Sequence, residues 1–315
     1  MKLIDLDLIH LKSLTELWNR EIGRDFPMKE ELLKQNSFND ENVLAEGSKI
    51  ATDQQGNILG FVVSKKVKEG SALVPGGSGW IQVLLVDSRW RDQGVGTALL
   101  DAAESALKNA GTETVHLGGD PWHYFPGIPK TYIGVKEWFR AKGYEEIDSV
   151  SDLLCDLTKI KSTNPEGEPS IKVLSPNEKE EFVAFLHLRF PGRWEYEAIE
   201  YFNKGGTGRE YAIMKLHGNI IGFIRINDTN SSIIGPNVAW SALLDGKNGG
   251  IGPLAIAESE RGNGYGLELV LGGLRILKER GASKAVIDWT EKIDFYRKTG
   301  AEIWKSYNPF KKVLE

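Results

Sequence analysis

Arg91-Asp92-Gln93-Gly94-Val95-Gly96-Thr97 follows the apolar run Trp80-Ile81-Gln82-Val83-Leu84-Leu85-Val86 and precedes Ala98-Leu99-Leu100-Asp101-Ala102-Ala103-Glu104. The first run reads as a strand and the last as the opening of an amphipathic helix. The glycines between them permit a tight turn and close approach of backbone. A helix start of this kind carries unpaired N–H groups and a partial positive charge, which suit an anion such as phosphate.

One such turn is weak evidence, because glycine often serves only to change chain direction. Recurrence strengthens it. Gly252-Pro253-Leu254-Ala255-Ile256-Ala257 is followed by Arg261-Gly262-Asn263-Gly264-Tyr265-Gly266 and then by Leu267-Glu268-Leu269-Val270-Leu271. Outside the turns, Gly56-Asn57-Ile58-Leu59-Gly60-Phe61 recurs as Gly218-Asn219-Ile220-Ile221-Gly222-Phe223, and Gly143 recurs as Gly300. Two copies of one fold, differently decorated, account for the pattern.

Arg-x-x-Gly-x-Gly between an apolar strand and a helix resembles the acetyl-CoA pyrophosphate loop of the GCN5-related N-acetyltransferase (GNAT) superfamily. The double occurrence resembles its tandem two-domain type. The resemblance implies an α/β fold: two tandem acyl-CoA N-acyltransferase (GNAT) domains, each a mixed, mostly antiparallel sheet flanked by helices. It implies direct acetyl transfer from acetyl-CoA to a primary amine of a small molecule or peptide, without metal. The other reading is a non-catalytic acyl-CoA sensor or scaffold in one or both halves.

The chain's 315 residues fit two domains of roughly 150. Residues 1–160 are expected as the first domain, with an aromatic, proline-rich loop over 118–131. Polar residues 161–169 read as linker and 170–315 as the second domain. Pro75-Gly76-Gly77 reads as a loop before the Trp80 strand. Strands through Tyr144–Leu157 are expected to complete the first half, and Ala301–Tyr307 to be the last strand.

A hydrophobic content of 41% and a net charge of −5 are those of an ordinary globular chain, with no basic block for nucleic acid. No apolar window is long enough for a membrane span, and no secretory signal is visible. A single cysteine excludes an internal disulfide framework. These features point to a cytoplasmic monomer or homodimer without nucleic-acid or membrane partners. A Walker loop needs GK[ST], which neither turn has. A dinucleotide fingerprint needs a third glycine where Leu99 and Leu269 stand.

The resemblance assigns pantetheine pairing to the backbone of Leu84, Leu85 and Val86 in the first half and of Leu254, Ala255 and Ile256 in the second. Pro253 fits an interrupted ladder there, or else an edge strand with the proline facing solvent. The diphosphate contacts fall to Arg91, Gln93, Gly94, Val95, Gly96 and Thr97, and to Arg261, Asn263, Gly264, Tyr265, Gly266 and Leu267.

Transfer to an amine requires a deprotonated nucleophile and a stabilised departing thiolate. The family's tyrosine, in the pattern Tyr-x-x-x-Gly, matches Tyr296 before Gly300. Phe139 occupies that place before Gly143 and has no proton to give, which leaves Tyr132 or a loop residue for the first half. Candidate bases are Asp288, which could instead cap the following helix, and Glu291 in the second half. In the first half they are His123 and Asp120. The stretch Gly118–Pro129 reads either as a substrate wall or lid, or as an aromatic plug.

Overall fold

The computed structural model describes residues 1–67, 77–161 and 167–314. Pro75 and Gly76 of the expected loop, and residues 162–166 of the expected linker, lie outside the described residues. The chain divides into two compact units, Met1–Val150 with Tyr307–Glu315, and Ser151–Ser306.

In the first unit β1 (Lys2–Asp5) leads into helices α1 (Leu11–Ile22) and α2 (Glu30–Ser37). Strands β2 (Lys49–Thr52), β3 (Ile58–Lys65) and β4 (Ser78–Val86) follow, then α3 (Val95–Asn109) and β5 (Thr114–Leu117). A short β6 (Ile128–Pro129), α4 (Ile133–Ala141) and β7 (Glu145–Glu146) complete this stretch. Ahead of β2, Val43 makes a single antiparallel bridge to Lys65.

The second unit holds β8 (Val150–Asp156), β9 (Ser170–Val173), α5 (Lys179–Arg189), α6 (Arg193–Asn203), β10 (Tyr211–Leu216) and β11 (Asn219–Asp228). It continues through β12 (Asn248–Ile256), α7 (Tyr265–Glu279), β13 (Lys284–Thr290), α8 (Ile293–Arg297) and β14 (Glu302–Asn308), and the chain ends in β15 (Phe310–Val313).

The strand order of the first sheet is β1-β2-β3-β4-β5-β15-β7, and of the second β9-β10-β11-β12-β13-β8-β14-β6. Within the two sheets β4 with β5 and β12 with β13 run parallel, while the pairs flanking them, β3 with β4 and β11 with β12, are antiparallel. This is the mixed, mostly antiparallel sheet that the sequence implied, present twice.

The ends of the halves differ from expectation. β8 does not complete the first sheet: it pairs antiparallel with β13, Cys155 opposite Ala285. The first sheet is completed by β15, whose Phe310 lies opposite Leu117 of β5 and Glu146 of β7. Alternation explains both fits. Leu153 and Cys155, two residues apart, bury their side chains in the core of the second unit, and Phe310 is fully buried in the first. Polar, proline-bearing composition placed the cut after Ile160, whereas the compact units divide at the start of β8 and again within β14.

Each glycine-turn helix presents one apolar face to its sheet. α3 buries Val95, Leu99, Leu100, Ala103 and Leu107, and α7 buries Leu269, Val270, Leu274 and Leu277. A fully buried side chain of this kind contributes about 1.5–3 kcal/mol, so these stripes fix both helix starts against strand ends. Among the described residues no helix is long and apolar enough to cross a membrane.

Candidate active site

Parallel pairing of β4 with β5 stops at Ile81 opposite Leu117, and that of β12 with β13 stops at Ile251 opposite Ile287. Beyond these pairs each strand keeps its antiparallel partner on the other side and parts from its parallel one. Leu84, Leu85 and Val86 pair only with β3, and Leu254, Ala255 and Ile256 only with β11. Their outward backbone groups line a fork. Pro253 sits at the second fork, where the β11–β12 register shifts between Ile224 and Ile226. Since β12 has neighbours on both sides, the edge-strand reading of Pro253 does not hold.

Each fork points at a helix start. Gly94 and Gly264 are left-handed, φ 82° and 84°, a conformation that costs little without a Cβ. No side chain caps either helix, so first-turn N–H groups are left to a ligand or to water. The first intrahelical bond of α3 runs from Ala98 N–H to Gly94 O. In α7 the Leu267 N–H already donates to Gly264 O at 3.1 Å, which tightens that turn and leaves Tyr265 and Gly266 as its freer donors.

Arg91 Nε donates to Val86 O and Arg261 Nε to Ile256 O, both at 3.2 Å. Each arginine thus ties its turn to the end of its strand. Arg91 also pairs with Glu21 at 2.7 Å. Gln93 and Asn263 likewise turn back, donating to Arg89 O and Glu260 O. Val95 is buried and contributes only its backbone.

In the first unit the fork opens into a cavity of about 810 Å³ lined by Leu84, Leu85, Val86, Gly94, Gly96 and Thr97, among others. Its far wall includes Phe125, Ile128, Tyr132, Trp138 and Phe139. The aromatic loop therefore combines both readings of it. Phe125, Gly127, Ile128 and Pro129 form wall, while Trp122, His123 and Tyr124 are buried plug. Tyr124 and Phe125 pack on Trp18 with ring centroids 5.2 and 5.8 Å away. His123 is not a wall residue. It is 4% exposed, and its Nδ1 lies 3.2 Å from Asp120 O. Asp120 is held in an ion pair with Lys65, 2.8 Å away, and Lys65 also binds Asp40 at 2.7 Å. Tyr132 reaches the cavity, but its hydroxyl donates to Asp25.

The second fork is polar. Asp288 follows the last parallel pair, and burial, reinforced by the charge of Asp152, raises its carboxyl to about 8. Glu197 acts in the same direction and Arg225 opposes it. Tyr296 on α8 stands within the field of Asp288, and burial, with that negative charge, pushes its hydroxyl upward. Its ring packs on Phe295 at 4.9 Å, and Phe295 in turn lies under Gly266 of the turn. The geometry brings Asp288, Tyr296 and the α7 start to one end of one strand pair. Asp288 does not cap α8, whose N-cap is Lys292, bonded to the Thr290 hydroxyl. Glu291 is exposed at the surface.

Asp152, Glu197 and Arg225 were not singled out from sequence. The available signal was a charge inside an apolar strand: Asp152 before Leu153-Leu154, and Arg225 between Ile224 and Ile226. Corresponding positions of the first unit lack the chemistry. The residue after its last parallel pair is Gly118, and the helix position is Phe139. Cys155 is fully buried, with its thiol pushed up by burial and directed at Thr299 O, which suits packing rather than acyl transfer.

The acetyltransferase (GNAT) family model matches residues 11–124 and 179–301. Among solved structures the chain is similar to a GCN5-related glucosamine N-acetyltransferase region in a fungal multi-domain GH3 beta-N-acetylglucosaminidase, at 26% identity and TM-score 0.88. That match covers 98% of this chain and 38% of the fungal one, so this chain spans well under half of it. A GCN5-related N-acetyltransferase from Sphaerobacter thermophilus is 14% identical with TM-score 0.73, covering 99% of this chain and 95% of that one. A tandem GNAT protein from the clavulanic acid biosynthesis pathway is 17% identical with TM-score 0.69, covering 99% and 98%. The last two likenesses are of fold alone. No curated protein matches the chain. With the family model matched once in each half, over strands that part and helices that begin at glycine, this chain belongs to the acetyltransferase (GNAT) family and carries its fold twice.

Proposed function

We propose that the protein transfers an acetyl group from acetyl-CoA to a primary amine, and that the second unit does the chemistry. The observation that carries this reading is that Asp288, the residue just past the last β12–β13 pair, lies close enough for its charge to act on Tyr296. Backbone of Leu254 to Ile256 would pair with the pantetheine, and the N–H groups at Tyr265 and Gly266 would receive the diphosphate. The amine nitrogen attacks the thioester carbon and the C–S bond breaks. Asp288 takes the amine's proton, for which a carboxyl near 8 is a far better match than an ordinary one. Tyr296, kept protonated by burial, hydrogen-bonds and protonates the departing thiolate.

The acceptor side carries acids (Asp152, Glu197, Asp288) and the half-open ring of Trp289, with Arg193 stacked 4.8 Å over it. Acids and aromatic faces suit a small cationic amine with a flat apolar side, and the fungal likeness favours an amino sugar such as glucosamine.

For the first unit, Gly118 and Phe139 favour a second role: binding of acyl-CoA in its 810 Å³ cavity without turnover. Release of CoA from acetyl-CoA in the presence of glucosamine, followed with the full chain, tests the reading. Asp288→Asn and Tyr296→Phe should each remove most turnover. Unchanged rates in both would move the chemistry out of the second fork.

A further inference from the structure

The second unit contains another cavity, of about 350 Å³, away from its fork. Its wall includes Lys159 and Lys161 after β8, Leu271 and Arg275 on α7, and Lys298 and Thr299 after α8. Arg275 is 7% exposed, and its buried Nε and Nη2 donate to nothing among the described residues. Two other cations of the same helix are engaged. Arg280 reaches Asp228, and Lys278 donates to Thr158 O and Ile160 O, which fixes the wall that bears Lys159 and Lys161. Among the described residues, the ion pair made by the four cations of the cavity is Lys159 with Asp156, at 3.6 Å.

A buried guanidinium without a counter-charge is expensive, and folded chains pair such groups. Here the described residues supply the cavity and the cations but no partner for Arg275. The geometry points to an anion-binding site at Arg275 that takes a small molecule bearing a multiply charged oxyanion, such as a phosphate monoester or diphosphate. The planar fork of Arg275 suits two oxygens of one phosphate, and Lys159, Lys161 and Lys298 answer the remaining charge. The site is separate from the glycine turn. Arg275 lies ten residues beyond Tyr265, about 15 Å down the helix axis. It does not depend on the acetyl-transfer reading.

Calorimetric titration of inorganic pyrophosphate and orthophosphate into the full chain at fixed ionic strength tests the site, with Arg275→Met and Gly264→Val in parallel. Loss of a charge-assisted pair should weaken binding by about tenfold to a hundredfold in Arg275→Met. Gly264→Val should leave binding at this site intact. Without anion, Arg275→Met should melt above the wild type, since it removes an uncompensated charge, and pyrophosphate should reverse that order. A tungstate soak should place an anomalous peak within hydrogen-bonding reach of the guanidinium. Should Arg275→Met fold poorly, Arg275→Gln and the tungstate map decide. Equal affinities in wild type and Arg275 variants, or a cavity that tungstate leaves vacant, would overturn the assignment.

Discussion

A Cβ placed on Gly252 would stand 2.4 Å from Asp288 Oδ1. The backbone of one fork strand therefore leaves room for the carboxylate of the other, and only glycine leaves it. Gly252 also holds φ at 124°, where other residues are strained. Gly252→Ala should displace the carboxylate and lower kcat/KM for the amine by about 10²-fold, the scale of one acid–base group. Steady-state rates beside a thermal melt will separate this from simple unfolding.

With Asp288 as the base, the pH behaviour follows from its carboxyl. Its carboxyl is raised to about 8, so the base form accumulates only as pH rises through that value, and kcat/KM should climb with it. Stability should move the other way. An acid whose folded value exceeds its unfolded value of about 4 lends stability that is full below pH 4 and lost as pH rises toward 8. Asp288→Asn should abolish the rate limb and melt above wild type at pH 8. A mutant melting below wild type there would contradict the stated burial effect.

Tyr296→Phe keeps the ring against Phe295 and removes only the hydroxyl. Turnover should fall by about 10²-fold with little change in the KM for acetyl-CoA. The matching substitution in the first unit, Phe139→Leu, should leave turnover within a few-fold.

The two left-handed glycines distinguish the units. A β-branched residue at Gly264 forces strain of about 1–2 kcal/mol into the α7 start, and Gly264→Val should raise the KM for acetyl-CoA. Gly94→Val should instead reduce the number of CoA molecules bound at saturation, read by calorimetry, with kcat preserved.

Lys65 lies fully buried between Asp40 and Asp120. Lys65→Met leaves two carboxylates facing each other without a cation and should cost about 3–5 kcal/mol. Combining it with Asp40→Asn and Asp120→Asn should recover most of that loss in urea unfolding.

Both glycine turns and both forks were legible because they rest on local order: an apolar strand, glycines, then an amphipathic helix. Tyr296 and Asp288 were singled out by place, one by the family pattern before Gly300 and the other at the end of an apolar strand, and their roles are those proposed above. The environment of Asp288 was not. Asp152, Glu197 and Arg225 reach it from three separate elements, and only the sheet order brings them near. His123 shows the reverse error. A histidine in a loop of glycine and proline looks exposed, yet flanking Trp122 and Tyr124 are drawn inward and take it with them. Arg275 sits on an otherwise regular apolar stripe, and nothing in its neighbours announces a cavity.

β15 lies between β5 and β7, so an interior strand of the first sheet is supplied by sequence that follows the whole second unit. The slot beside β5 stays unfilled until the chain has been synthesised through Val313. A premature stop after Ser306 would thus damage the amino-terminal half, and a protease nick in the polar tract after Ile160 would not release two self-sufficient pieces. The gene encodes a duplicated fold, but the product ripens as one object.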